Sequence, residues 1–208
     1  MWRGTWWVVV LALTLVGCGG GGTPSSTTTP TASPTLTETE SASPSASATD
    51  CPPFGSTDET TSDDPLALST LTGASMRAGR RDCFERFVFE MAGSDGDPGW
   101  RVRYVDPLTG QGSGEPIELL GDATIEVLIG VMTVTEFEGR PDEWPPFEGP
   151  DDIVTSGYTA ILEARNLYGF EGTTQIGLGL DRVRPFRVSW LDGPPRLVVD
   201  IAIDGAAG

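Results

Sequence analysis

The chain has 208 residues and a formal net charge of −17, from 30 Asp and Glu against 13 basic residues, every one of them arginine. It contains no histidine, so neither a Ser-His-Asp nor a Cys-His arrangement can be built, and the usual imidazole ligands of zinc hydrolases are missing. The acidic balance argues against nucleic acid and anionic headgroups, both of which are held by Lys and Arg, and leaves carboxylate-only chemistry as the remaining catalytic option.

Met1-Trp2-Arg3 gives a short positive start, residues 6–16 are almost wholly apolar, and Leu15-Val16-Gly17-Cys18 sets a small residue before a cysteine. That order predicts a secretory signal peptide over residues 1–17, its apolar run being too short to span a bilayer as a helix. The four residues resemble the lipobox of bacterial lipoproteins, which implies that Cys18 is the lipidated first residue of the mature chain. An ordinary cleaved signal and an uncleaved anchor are the alternatives. Two acyl chains hold a protein to a bilayer stably where one does not, so the resemblance predicts tethering to the extracytoplasmic face of the cell membrane.

Beyond Cys18, residues 18–50 are Ser, Thr, Pro, Ala and Gly with few apolar side chains. Such a stretch cannot bury enough surface to offset its ordering entropy and is expected to be a disordered linker. Residues 51–65 form an arm before the folded body, and Cys51 and Cys83 are an even pair in an oxidising compartment, which reads as a disulfide. Residues 66–204 suit one domain with one core, and 205–208 form a short tail.

The body reads as strands. Trp100-Arg101-Val102-Arg103-Tyr104 alternates apolar and basic, 124–129 alternates about Ile125, Val127 and Ile129, and Leu197, Val199, Ile201 and Ile203 share a face. Further strands are expected at 66–71, 84–91, 160–167, 174–180 and 186–191, and helical periodicity is weak throughout. The pattern predicts an all-β fold, a single β-sandwich domain of short antiparallel strands. Asp192-Gly193-Pro194-Pro195 reads as a four-residue hairpin loop pairing Leu191 with Arg196. The same register sets Trp190 opposite Leu197, Val188 opposite Val199 and Phe186 opposite Ile201. On the other face it sets Arg187 opposite Asp200, a cross-strand charge pair worth about 0.2–1 kcal/mol.

Pro185-Phe186-Arg187-Val188, followed by the run from Leu191 to Ile201, resembles the closing signature of AMIN domains. More closely, the chain is similar to the AMIN-like domain of actinobacterial lipoproteins. The resemblance is carried by the block from Arg80 to Glu90, by Gly99-Trp100-Arg101-Val102-Arg103-Tyr104-Val105-Asp106 and by Gly112-Ser113-Gly114-Glu115-Pro116. Phe170-Glu171-Gly172 and Gln175-Ile176-Gly177-Leu178-Gly179 extend it. Arg81 and Trp100 depart from the histidine and tyrosine common at those places. What the resemblance implies is a β-sandwich that binds rather than catalyses, without cofactor or metal, associated with peptidoglycan.

Arginine can hold the carboxylates of muramyl peptides, and Arg101 and Arg103 share one strand face, so they are candidate ligand contacts. A solvated face balancing nearby acids is the alternative. The loop 140–152, rich in proline, carries Trp144 and Phe147, either a sugar or partner platform or a cap on an open sandwich end. Gly177 and Gly179 alternate with leucine, which marks close approach of another backbone or a bulge rather than a phosphate cradle. Ser94 to Gly99 reads as a tight turn, lacking the ligands of a calcium loop. Together these readings describe a lipid-anchored envelope protein that binds a cell-wall ligand, with a protein partner and a carboxylate hydrolase as alternatives.

Overall fold

The computed structural model describes residues 51–204 except 66, 95, 136–141 and 143. The expected signal peptide, Cys18, the linker to residue 50 and the tail 205–208 lie outside the described residues. So do Arg140 and the opening of the 140–152 loop.

Among the described residues there are ten strands and no helix. They are β1 (Thr60–Thr61), β2 (Thr72–Arg80), β3 (Phe84–Ala92), β4 (Trp100–Val105), β5 (Ala123–Ile129), β6 (Asp152–Val154), β7 (Ile161–Phe170), β8 (Thr173–Leu180), β9 (Phe186–Leu191) and β10 (Arg196–Ala202). Two antiparallel sheets result, one of six strands in the order β1-β4-β5-β8-β7-β6 and one of four in the order β2-β3-β10-β9. The sandwich follows from the alternation: Phe87, Phe89, Leu197, Val199 and Ile201 of the smaller sheet share a buried core with Val102, Ile125, Val127, Ile176 and Leu178 of the larger. Rings also tie the layers together, Tyr104 lying edge-on to Phe186 with centroids 5.9 Å apart.

The last hairpin has the register its sequence dictates. Leu191 pairs with Arg196, Trp190 with Leu197, Val188 with Val199, Arg187 with Asp200 and Phe186 with Ile201. A slip of one residue would turn three apolar pairs out of the core, which is why the pairing is so strongly specified.

The strand expected at 66–71 is not one. Residues 67–71 run irregularly, and the first long strand is β2 immediately after them. β2 holds Gly73, Ala74, Ser75, Ala78 and Gly79, poor strand formers with no clear alternation, and it forms because β3 supplies a ladder along its whole length. A bulge between Gly73 and Ser75 absorbs the mismatch. The two-residue β1 and three-residue β6 are too short to carry a periodic signal.

Cys51 and Cys83 are bonded, with Cα atoms 5.3 Å apart. The arm they pin crosses the outer face of the smaller sheet. Phe54 meets Phe84 edge-on at 5.7 Å, and Ser56 bridges to Phe186. Beneath it lies buried Asp200, which accepts two hydrogen bonds from Arg86 at 2.6 and 2.9 Å and one from Arg187 at 2.8 Å. Arg187 also stacks its guanidinium 4.7 Å from the Phe54 ring centre.

Candidate functional site

Strand β8 sends Ile176 and Leu178 into the core and Gln175, Gly177 and Gly179 to the outer face of the larger sheet. With no side chains at 177 and 179, that face is bare enough for the connection between β4 and β5, residues 106–122, to lie directly on it. A Cβ at Gly177 would meet Leu119 and Leu108 at 2.6 and 2.7 Å, and one at Gly179 would collide with the Leu120 carbonyl. The close approach expected of this glycine pair is what the structure contains.

Buried polar side chains then fasten the connection. Gln175 donates to the Thr109 carbonyl at 2.9 Å and to Glu126 at 2.7 Å, and its own oxygen accepts from the Gln111 amide at 3.3 Å. Further along, Glu163 accepts from the Leu120 amide at 2.9 Å and pairs with Arg165, which also donates to the Glu118 carbonyl. Two carboxylates and one amide thus hold a long loop in a single position.

This anchoring brings two parts of the chain together that lie some sixty residues apart. Residues 110–114, Gly-Gln-Gly-Ser-Gly, meet the hairpin joining β7 to β8, and between them is a groove of about 290 Å³. Phe170 stands at its wall, 46% exposed, and a Cβ on Gly112 would come within 3.1 Å of the ring. The Thr173 hydroxyl donates to the Phe170 carbonyl at 2.8 Å and lies 3.0 Å from the Gln111 side-chain amide, which ties residue 111 to the hairpin. Ser113 accepts from the Glu115 amide and keeps its own proton to donate. The hairpin holds two non-glycine residues in the left-handed region, Tyr168 at φ 60° and Glu171 at φ 51°. Tyr168 is fixed there by its amide bond to Asn166 at 3.0 Å and its hydroxyl bond to Asp151. Burial and the neighbouring Asp151 push the Tyr168 phenol up to about 12.

The residues picked out from sequence fall on different surfaces. Arg101 and Arg103 do share the outer face of β4. Arg103, however, donates to Glu126 at 3.0 Å and lies 4.0 Å from Glu59, so much of its charge is answered within the protein. Arg101 makes no ion pair among the described residues, and its Nε is buried without a partner. Phe147 is half-buried and stacked on Phe89 with ring centres 6.3 Å apart, closing the core beside β2. Its neighbour Glu148 donates its amide to the Ala74 carbonyl at 2.8 Å. Trp144, 37% exposed, is the more exposed of the two aromatics of that loop. Ser113 and Phe170 enter the sequence reading only as parts of two separate motifs, and Gln111 not at all, since none of them has a role until the two segments meet.

A second cleft, of about 450 Å³, lies between residues 104–108 and 117–124 and carries Asp106, Glu118 and Asp122. Among the described residues no group of His, Cys, Asp and Glu is arranged to hold a metal ion.

The family of AMIN-like domains matches residues 71–203 of the chain. No curated protein and no solved structure matches it.

Proposed function

The chain belongs to the AMIN-like domain family, and from that premise we propose that it is a non-catalytic binding module of the cell envelope. In this reading it is carried outside the cell by residues 1–17, tethered through lipid on Cys18 and directed at a peptidoglycan-type ligand. The observation that carries the binding reading is the fate of the buried carboxylates. Glu85 is committed to backbone N–H groups, Asp200 to two arginines, Glu126 to Arg103 and Gln175, and Glu163 to Arg165 and the Leu120 amide. Acids used in this way hold strands and loops; a glycan hydrolase needs a pair left free on either side of a bond, about 5–10 Å apart, and the acids of the larger cleft, Asp106, Glu118 and Asp122, are where the hydrolase alternative would have to lie. What the larger sheet presents to solvent is a groove of aromatic, amide and hydroxyl groups, the chemistry of recognition.

Two measurements test this. The full chain is expected to pellet with insoluble peptidoglycan sacculi and to stay in the supernatant without them; absence of retention at every salt concentration overturns the wall reading. Cys18→Ser is expected to move the protein from the membrane fraction to the soluble extracytoplasmic fraction, and unchanged fractionation overturns the tether.

A further inference from the structure

We propose that the groove between residues 110–113 and the β7–β8 hairpin is a saccharide subsite. It takes one uncharged, N-acetylated hexose ring of a longer glycan. The inference rests on the wall-binding reading and adds to it a site and a ligand chemistry.

Three observations converge on the groove. Its lining holds no charged side chain, in a chain whose net charge is −17 and whose larger cleft carries three carboxylates. A neutral ligand meets no repulsion there, and an anionic one finds no cation. Phe170 keeps 46% of its surface in water at a hairpin tip, with Gly112 behind the ring where any larger residue would crowd it. A flat, backed ring with an open face suits the apolar C–H face of a pyranose, whose hydrogens meet the negative π surface. Beside it, the exposed Gln111 side-chain amide and the Ser113 hydroxyl supply hydrogen-bonding groups, and a primary amide is a natural partner of an acetamido group.

The walls are held by the fold itself: Glu171 and Gly172 take the positive φ that a two-residue hairpin loop requires, the Asn166 and Asp151 bonds hold Tyr168, and Gln175 holds the opposite wall through Thr109 and Gln111. The groove is therefore set before a ligand arrives. At about 290 Å³ it falls just below the range of ordinary ligand sites, about 300–1,000 Å³, which suits a single ring with its neighbours running out along the surface.

The test titrates the full chain, in detergent, with an oligomer of four β-1,4-linked N-acetylglucosamine residues. Calorimetry gives affinity and backbone amide resonances give location. Saturable binding is expected, with shifts concentrated at Gly112, Ser113 and Gly169. Phe170→Ala is expected to weaken it by about tenfold or more, Phe170→Trp to retain it, and Arg101→Ala to leave it within about twofold. No binding at about 10 mM oligomer, or wild-type affinity in Phe170→Ala, overturns the subsite. Sacculus retention is scored separately. Retention that survives Phe170→Ala sinks the subsite and spares the wall reading, whereas oligomer binding without retention does the reverse.

Discussion

Glu85 is fully buried, yet its carboxylate accepts the backbone amides of Thr159, Ala160 and Ile161 at 2.7, 2.9 and 2.8 Å. It springs from β3 on the core side and caps the start of β7, so one side chain clamps the smaller sheet to the larger. Glu85→Gln turns an acceptor into a donor facing N–H groups, and urea denaturation is expected to show a loss of about 2–4 kcal/mol, since each stranded buried donor costs about 1–3 kcal/mol. None of this was legible beforehand, because the partners lie 74–76 residues away and no local pattern announces them. Asp200 was legible by half: its cross-strand Arg187 follows from the hairpin, whereas Arg86, 114 residues distant, belongs to a strand pairing that no turn dictates. Asp181 makes a pH prediction possible. Burial opposes its charge, but the hydrogen bonds and charge of buried Arg184, at 2.6 and 2.8 Å, outweigh that and hold its carboxyl below the ordinary value. A depressed folded pKa contributes stability that is present above the unfolded value and lost as pH falls through the folded one. Thermal melts are therefore expected to show this contribution flat from pH 7 to about 5 and declining below about pH 4, with Asp181→Asn shallower in that acid limb.

At the scale of elements, what could be read ahead was what is local. The β9–β10 hairpin has a short loop and alternating flanks, so register, face and charge pair all follow from one stretch of sequence. The Gly177 and Gly179 face was readable too, as a place where something lies close; what lies there, residues 106–122, was not, because that connection has no periodicity of its own. The same gap explains the site. Phe170 and Gly112 appear in separate motifs, and only the loop anchored by Gln175, Glu126 and Glu163 makes them neighbours. Gly179→Ala is expected to cost about 1–3 kcal/mol, as its Cβ meets rigid backbone at Leu120, and to weaken oligomer binding by moving the loop. Gly79→Ala is the matched control: nothing lies within 4 Å of its added carbon, so denaturation is expected to show no loss. The arm gives a further case. Its disulfide closes a sequence separation of 32 residues, and Cys51→Ser with Cys83→Ser is expected to cost about 3.7 kcal/mol on the chain-entropy account. A loss far smaller would mean that Phe54 and Ser56 hold the arm without it.

Over the whole molecule the charge decides how the protein behaves in salt. Thirty acids against thirteen arginines leave −17, and the arginines are largely spent: Arg86 and Arg187 on Asp200, Arg165 on Glu163 and Asp152, Arg182 and Arg184 on Asp181 and Asp204. The remaining carboxylates repel one another across the surface, which favours expansion of the chain. At about 10 mM ionic strength the Debye length is about 30 Å, so most of the domain feels the whole charge; at about 150 mM it is about 8 Å and only near neighbours do. Salt weakens the exposed ion pairs as well, but such pairs contribute about 0–1 kcal/mol each and buried Asp200 is shielded from the solvent. Net repulsion is the larger quantity, so raising NaCl across that range is expected to raise Tm, by about 2–4 °C for each kcal/mol of repulsion relieved. A falling Tm would mean that the ion pairs, rather than the excess of acids, govern the balance. The same argument fixes the salt response of the groove. An uncharged glycan exchanges no counterions on binding, so its affinity is expected to stay level from low to physiological salt, while a phosphate-bearing or carboxylate ligand held by Arg101 would weaken steeply.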